Sequence, residues 1–478
     1  MANKCSRKAV RKISFIEASA PGLHIFSRYP IPRLGAVLLS TILQDRGYEV
    51  KVFIEGIAEP DWSFVESSDL VCISTITSTA IRAYAIAKRF KTLNIPVIIG
   101  GAHPTFVPDE ALESSDFVVR GEGEHTLLEL IEHLKRGVPA LQDIDGISFK
   151  DATGKNVHNR PREFIKNLDN LPIPDFSLVH RWSPTTPYPI STSRGCPHDC
   201  YFCSVIGMFG KEYRCKSVEA TLEELKYAVT VSMSTKFIVD DNFTANKKRA
   251  KEILRRMIAQ GIKTSWSAQV RTDIAKDPEL LRLMADSGCF TLFIGFESIN
   301  PRTLIAYNKK QTREDIVSCI KAVKDHGIHI HGMFVLGADT DDLKIIRETA
   351  SFATALRIDT VQFMLLTPLP GTELFRHMIE DNRLIHKDWS KYDSHHVVYR
   401  HPIMLPNILQ LETFKAMGHF YSWKHIFSYL MKLELQYVAI CLYGKFAVRK
   451  FLKSSSAYLQ SLTGSQNGRR CCGEIDRK

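Results

Sequence analysis

Cys196, Cys200 and Cys203 stand close together in the run RGCPHDCYFC. Thiolates are soft ligands that suit zinc or an iron–sulfur cluster, and four are usual for a closed cluster. Three cysteines with no fourth at matching spacing therefore predict a metal site with one position left for another ligand. A structural zinc ion, which takes four ligands, stays open as an alternative, with His198 inside the loop or Cys215 beyond it as the fourth. The cysteines directly follow an apolar, strand-like stretch, Pro187 to Ser193, so a strand end must hold their loop.

A chain of 478 residues exceeds what one hydrophobic core fills, and two or three domains are expected. Apolar content of 44% and charged content of 24% fit a globular protein. Eleven cysteines scattered without even pairing do not read as a secreted disulfide framework. A reducing compartment is expected. With no signal-like start and no long uninterrupted apolar window, a cytoplasmic location follows as the expectation. The net charge of +11 is spread widely, with clusters mainly at the tails KCSRKAVRK and GRRCCGEIDRK. Nucleic acid is therefore not expected as a partner, and Cys471 and Cys472 read as tail thiols without function.

The first 138 residues alternate strand-like runs (KISFIEA, EVKVFI, DLVCIST, IPVIIG, DFVVR) with helical spacing over Leu34 to Asp45, Thr79 to Leu93 and Glu124 to Lys135. That alternation predicts an α/β, doubly wound, Rossmann-like sheet with its ligand beyond the carboxyl ends of the strands. Ser74, Thr75, Gly100 and Gly101 fall at that rim. Residues 139–186, rich in Pro, Asn and Asp, read as a linker. From 187 to 387 six strand–helix units follow, with helices beginning near Ser217, Asn246, Asp277, Thr312, Asp341 and Thr372. Six units make a partial (β/α)6 barrel, and parallel barrels place chemistry where their strands stop. The strand ends carry Asp240, Asp241 and Asn242, then Ser267, Gln269 and Arg271, then Gly295, Glu297 and Ser298. Leu336 with Gly337, and Leu366 with Thr367, end the fifth and sixth strands.

Residues 388–454 read as a mainly helical region that caps the barrel, with a membrane surface as the alternative use of its aromatic and basic helices. His395, His396 and His401 beside Tyr392 and Tyr399 are expected to be polar surface or turn residues rather than metal ligands. A polar tail over 455–478 is expected to lack structure.

The spacing CxxxCxxC with an aromatic before its last cysteine resembles the radical S-adenosylmethionine (SAM) superfamily. The resemblance implies that Cys196, Cys200 and Cys203 hold a 4Fe-4S cluster whose fourth iron is chelated by the amino and carboxylate groups of SAM. It further implies Asp240 and Asp241 near the SAM amino group, Glu297 and Gln269 near the ribose, Arg271 near the carboxylate, and Phe202 beside the adenine. Ser267 shares that rim, and Leu336 and Thr367 would line the adenine slot through backbone groups.

The runs RYPIPRLGAVLLSTILQDRGYEV, IIGGAHPTFVPDEAL and VVRGEGE resemble the cobalamin-binding domain fused ahead of radical SAM domains. By that resemblance Ser74, Thr75, Gly100 and Gly101 line the slot for the cobalamin nucleotide tail, with His103 a loop residue nearby. The loop EGIAEPD holds no histidine to serve as lower cobalt ligand. The implied chemistry is reductive cleavage of SAM to a 5′-deoxyadenosyl radical, hydrogen abstraction, and methyl transfer to an unactivated carbon of a small-molecule or lipid-like substrate. An electron donor such as flavodoxin or ferredoxin is implied. A cyclase or oxidase without methyl transfer, and a non-catalytic sensor, are the alternatives.

Overall fold

The computed structural model describes residues 10–22 and 31–464. Its first sheet contains β1 (Lys12–Glu17), β2 (Glu49–Ile54), β3 (Leu70–Ser74), β4 (Val97–Gly100) and β5 (Phe117–Val119), all parallel, in the order β2-β1-β3-β4-β5. Alternation along each strand sends side chains to opposite faces. Ile13, Phe15, Val52 and Cys72 pack with the helices Leu34–Gln44 and Gly123–Arg136, while Ile16, Phe53, Val71 and Ile73 pack with the helix Ala80–Thr92. Helices on both faces explain why these strands are apolar throughout. The order reverses between β1 and β3, which opens a crevice at their carboxyl ends.

The expected linker is part of this sheet. β6 (Ile147–Lys150) and β7 (Asn156–His158) add antiparallel strands beyond β5. These strands are too short to show periodicity, and the Asp151 carboxylate tightens their turn by accepting from the Thr153 and Lys155 N–H groups. Further on, Val179 bridges Val52 on β2, and the His180 N–H donates to the Val52 carbonyl.

The second sheet begins with β8 (Tyr188–Ile190). A two-stranded ribbon of β9 (Ser193–Arg194) and β10 (Arg214–Cys215) comes next. Then follow β11 (Lys236–Ile238), β12 (Trp266–Val270), β13 (Cys289–Glu297), β14 (His329–Leu336) and β15 (Thr360–Leu365). The order β15-β14-β13-β12-β11-β8 is parallel throughout and makes a six-stranded partial barrel. Ser217, Asn246, Asp277, Thr312, Asp342 and Thr372 each cap a helix by accepting the N–H three residues on. Each cap contributes about 1 kcal/mol. The fifth cap is Asp342; its neighbour Asp341 is buried and accepts from the Gly337 and Ala338 N–H groups instead.

The C-terminal region is helical over Pro406–Phe420, Trp423–Leu430, Leu435–Ser454 and Ser456–Gly464. The last of these corrects the expectation of an unstructured tail from 455: Tyr458 donates to the Val397 carbonyl and binds His386. Cys471 and Cys472 lie outside the described residues. The three histidines are core rather than surface. His395 stacks on Phe414, His396 pairs with Asp393, and His401 donates to the Ala338 carbonyl. Asp393 shares their turn, but Phe414 lies on the helix Pro406–Phe420 and Ala338 follows β14, so a local reading of HH could find the turn and not its burial. Among the described residues, no helix is long and apolar enough to cross a membrane.

Candidate functional site

The three cysteines lie on the loop that the β9–β10 ribbon closes at the mouth of the barrel. Gly195, just before them, has φ +84, and a Cβ there would sit 2.1 Å from the Glu212 carbonyl oxygen. Only glycine fits this crossing. All three thiols are partly exposed and none is in a disulfide. Burial raises the Cys196 and Cys203 pKa values, that of Cys203 to about 12, although the backbone N–H groups of His198 and Val205 reach their sulfurs. Such thiols become thiolates when a metal takes the proton's place.

A single zinc ion would need every donor about 2.0–2.3 Å from one point. Among the described residues no three His, Cys, Asp or Glu side chains converge in that way. Cys215 interacts with Arg249 and Asp240 rather than with the loop thiols, and its sulfur lies 3.9 Å from the Tyr213 carbonyl. Burial, with Arg271 nearby, pushes the His198 pKa down to about 4. Three thiols on one loop, two of them with a nearby backbone N–H that favours the thiolate, fit a cluster that takes one thiolate per iron.

The strand ends divide into groups open to the mouth and groups already engaged. Both oxygens of Asp240 are occupied: Oδ1 accepts from the Thr192 and Ser193 N–H groups, and Oδ2 from their hydroxyls at 2.6 and 2.7 Å. Asp240 therefore fixes the segment entering the cysteine loop and has no oxygen aimed at a SAM amino group, which corrects that expectation. Asp241 is exposed where it borders the cavity, with protein packed close around its base. Burial and the Asp240 carboxylate push its pKa up to about 6. Because the folded state disfavours the charge, stability is lost as pH rises from the ordinary value near 3.8 and the loss is complete above about 6. Asp241→Asn should thus raise the melting temperature of cofactor-free protein at pH 7 and leave it unchanged near pH 4, as thermal denaturation at the two pH values would show.

Ser267 is buried in register with Thr291, and Gln269 is in register with Phe293. Arg271 is near enough to Cys196 and His198 for its charge to lower both pKa values. Glu297, in a left-handed turn at φ +60, is held by Lys309 at 2.7 Å. Phe202 packs edge-on against Tyr307 at 5.0 Å. The fifth and sixth strand ends are more committed than expected. The Leu336 carbonyl takes the Leu366 N–H, the Thr367 hydroxyl donates to the Leu365 carbonyl, and the Tyr399 hydroxyl donates to the Gly337 carbonyl.

One cavity of about 440 Å³ joins the two sheets. Ser74, Gly100 and Gly101 line it from the first sheet; Ser191, Ser193, Val239 and Asp241 line it from the barrel. Gly101 has φ +106, and a Cβ there would sit 2.4 Å from the Thr75 carbonyl oxygen, so bare backbone forms the slot wall. This cradle of small residues at the switch point fits a cofactor tail. No histidine lines the cavity among the described residues. Thr75 and His103 are not in its wall. Thr75 is buried against Thr79, and His103 packs on Trp389 at 5.0 Å with its ring nitrogen near Thr77. Burial lowers the His103 pKa to about 4. The helix Ala102–Phe106 turns this side chain into the opposite core, which sequence proximity to Gly101 concealed.

The residues that lock the two halves together were missed. Arg194, two positions before Cys196, binds Glu122 at 2.8 Å and Glu124 at 2.6 Å, and buried Arg214 on the partner strand also binds Glu122. The run RGEGE marked the acids, but no local signal marks basic partners some seventy positions away. Removing one member of a buried pair costs about 3–5 kcal/mol, so Arg194→Met should lower the unfolding free energy by that order, read from urea titration, while Arg120→Met, outside this network, should cost less.

Residues 190–352 match the Radical SAM superfamily, and residues 25–131 match the B12 binding domain. An uncharacterized methyltransferase of Pyrococcus horikoshii is 36% identical over 385 residues, covering 76% of this chain and 82% of that protein. The bacteriochlorophyllide d C-12(1)-methyltransferase of Chlorobaculum tepidum is 31% identical over 380 residues, covering 77% and 78%. In fold, the chain is similar to the radical SAM methyltransferase TsrM of Kitasatospora setae, solved with cobalamin and a 4Fe-4S cluster (TM-score 0.66, 19% identity, 78% of each chain). It is also similar to the cobalamin-dependent SAM radical enzyme OxsB (TM-score 0.67, 17% identity, 95% of this chain and 81% of that one). With the cysteine loop at a six-stranded barrel mouth and the glycine-walled cavity facing it, this chain belongs to the cobalamin-binding branch of the radical SAM superfamily, an enzyme whose cofactors are a 4Fe-4S cluster, SAM and cobalamin.

Proposed function

We propose that the protein transfers a methyl group to an unactivated carbon of an apolar small molecule. The observation that carries this reading is the shared cavity, in which the slot at Ser74, Gly100 and Gly101 opens onto the barrel rim at Ser193 and Asp241. When bound, the three cofactors supply one-electron cleavage of SAM and a cobalt-held methyl group. Cys196, Cys200 and Cys203 would hold the cluster, with the His198 and Val205 N–H groups stabilising sulfur charge. Arg271 supplies the cation for the SAM carboxylate, and Asp241 the nearest free acceptor for its ammonium. Glu297, positioned by Lys309, and Gln269 serve the ribose, and Phe202 serves the adenine.

The substrate class is proposed from the barrel interior. Fully buried residues on β13 and β14 alternate with less buried ones, and only the lumen is left open when helices cover the outer face. Phe237, Phe293, Met333 and Met364 share that inner face with Gln269, His331 and Gln362 by strand register. An apolar wall with a few polar groups suits a tetrapyrrole-like or lipid-like molecule. Curated relatives include methyltransferases named for bacteriochlorophyllide and a hopanoid C-2 methylase of Rhodopseudomonas palustris. A donor of the flavodoxin or ferredoxin class completes the proposal.

The test gives the anaerobically reconstituted protein methyl-labelled SAM, a low-potential reductant and a deproteinised cell extract. Label in an extracted product is expected. Label confined to methionine would overturn methyl transfer in favour of an oxidation such as ring closure, the activity named for the anaerobic magnesium-protoporphyrin IX monomethyl ester cyclase of Rubrivivax gelatinosus, which is 27% identical.

A further inference from the structure

The helix Trp423–Leu430 buries only one side. His425, Ile426 and Tyr429 face the protein, while Trp423, Phe427, Leu430 and Met431, at i, i+4, i+7 and i+8, face outward. The turn that follows adds Leu433 and Leu435. Exposure reaches 60% at Phe427, 74% at Met431 and 81% at Leu433. With an aromatic side chain offering about 150–250 Å², these residues together expose on the order of 600 Å² or more, above the few hundred Å² usual for a monomer's apolar patch. Nothing in the barrel chemistry uses them.

The charges around the patch select the occupant. Between 421 and 453 the chain carries Lys424, Lys432, Lys445, Arg449, Lys450 and Lys453 against the single acid Glu434, whose carboxylate lies 3.9 Å from His329. Lys445 lies 5.0 Å from the Trp423 ring centroid and Lys432 5.5 Å from the Tyr429 ring. Protein interfaces are depleted in lysine. Lysines interleaved with Trp, Phe, Met and Leu instead match an anionic bilayer surface, where apolar side chains enter the acyl boundary and ammonium groups reach up to phosphates.

We infer that this helix and turn dock the enzyme on an anionic lipid bilayer as a peripheral surface. Its location sets the orientation. His425 donates to the Asp359 carbonyl, Tyr429 to the Asp359 carboxylate, and the Tyr437 hydroxyl meets Thr291 at 2.9 Å. Asp359 and Thr291 stand at the starting ends of β15 and β13, opposite the cysteine loop. The bilayer therefore holds the lower end of the barrel and leaves the mouth free for reductant and SAM.

Co-sedimentation of the full-length protein with vesicles tests this. Binding to vesicles of equal parts phosphatidylcholine and phosphatidylglycerol is expected to exceed binding to phosphatidylcholine alone about tenfold and to weaken in salt. Phe427→Ser with Met431→Ser and Leu433→Ser should lose binding about tenfold at an unchanged melting temperature. Lys424→Gln with Lys432→Gln should lose the preference for phosphatidylglycerol and keep the fold, which guards against misfolding of the first variant. Absence of vesicle binding, or equal binding by both variants, would overturn the inference. So would a solution dimer that the triple variant splits while wild type ignores vesicles, because the patch would then seat a second copy.

Discussion

Cys200→Ala is expected to reduce 5′-deoxyadenosine formation to the no-enzyme background and to leave the protein short of the about four irons that a complete cluster holds. Cys200 is a partly exposed loop residue, so no core is disturbed. His198→Ala and Cys215→Ala separate the metal readings. Under the zinc alternative one of them would matter as much as Cys200. In the structure, Cys215 lies on β10 beside Asp240 and Arg249, away from the loop thiols, so its loss should leave iron content and SAM cleavage intact. Chromatography of the anaerobic reaction and iron analysis read both. A wild type that makes no 5′-deoxyadenosine would overturn reductive cleavage of SAM as its first step.

The second large effect is expected at Gly101. An alanine Cβ would lie 2.4 Å from the Thr75 oxygen, 3.1 Å from its nitrogen and 3.3 Å from its carbonyl carbon. These are backbone atoms at the end of β3, so no side chain can rotate away, and φ +106 adds strain of its own. Gly101→Ala should cost about 2–4 kcal/mol, seen as a lower urea midpoint. It should also reduce cobalt retained after reconstitution, because relief of the clash pushes the wall that Ser74 and Gly101 share into the slot. A variant with normal cobalt content would show that the slot lies elsewhere.

The architecture was legible because it repeats. Apolar runs bounded by turn residues marked the parallel strands of both sheets, and Ser217, Asn246, Asp277, Thr312 and Thr372 announced their helices by type and position. Shorter elements escaped: β6 and β7 have four and three residues and gain stability only from neighbours already in the sheet. The site divides in the same way. The cysteines and glycines stood out in the sequence because their chemistry or conformation is local. Asp240 was placed at the right strand end and given the wrong partner, since nothing in the sequence reveals that Thr192 and Ser193 reach it first. His103, His395 and the Arg194–Glu122 pair depend on contacts across the whole chain.

The course of residues 147–180 bears on how the molecule could be divided. One hairpin finishes the far edge of the first sheet, and Val179 then finishes the near edge at β2. A fragment cut at residue 138 would present bare strand at both borders, an invitation to edge-to-edge aggregation. The halves are thus not interchangeable beads on a string. A transplantable cobalamin module has to carry its wrapping with it, as far as His180.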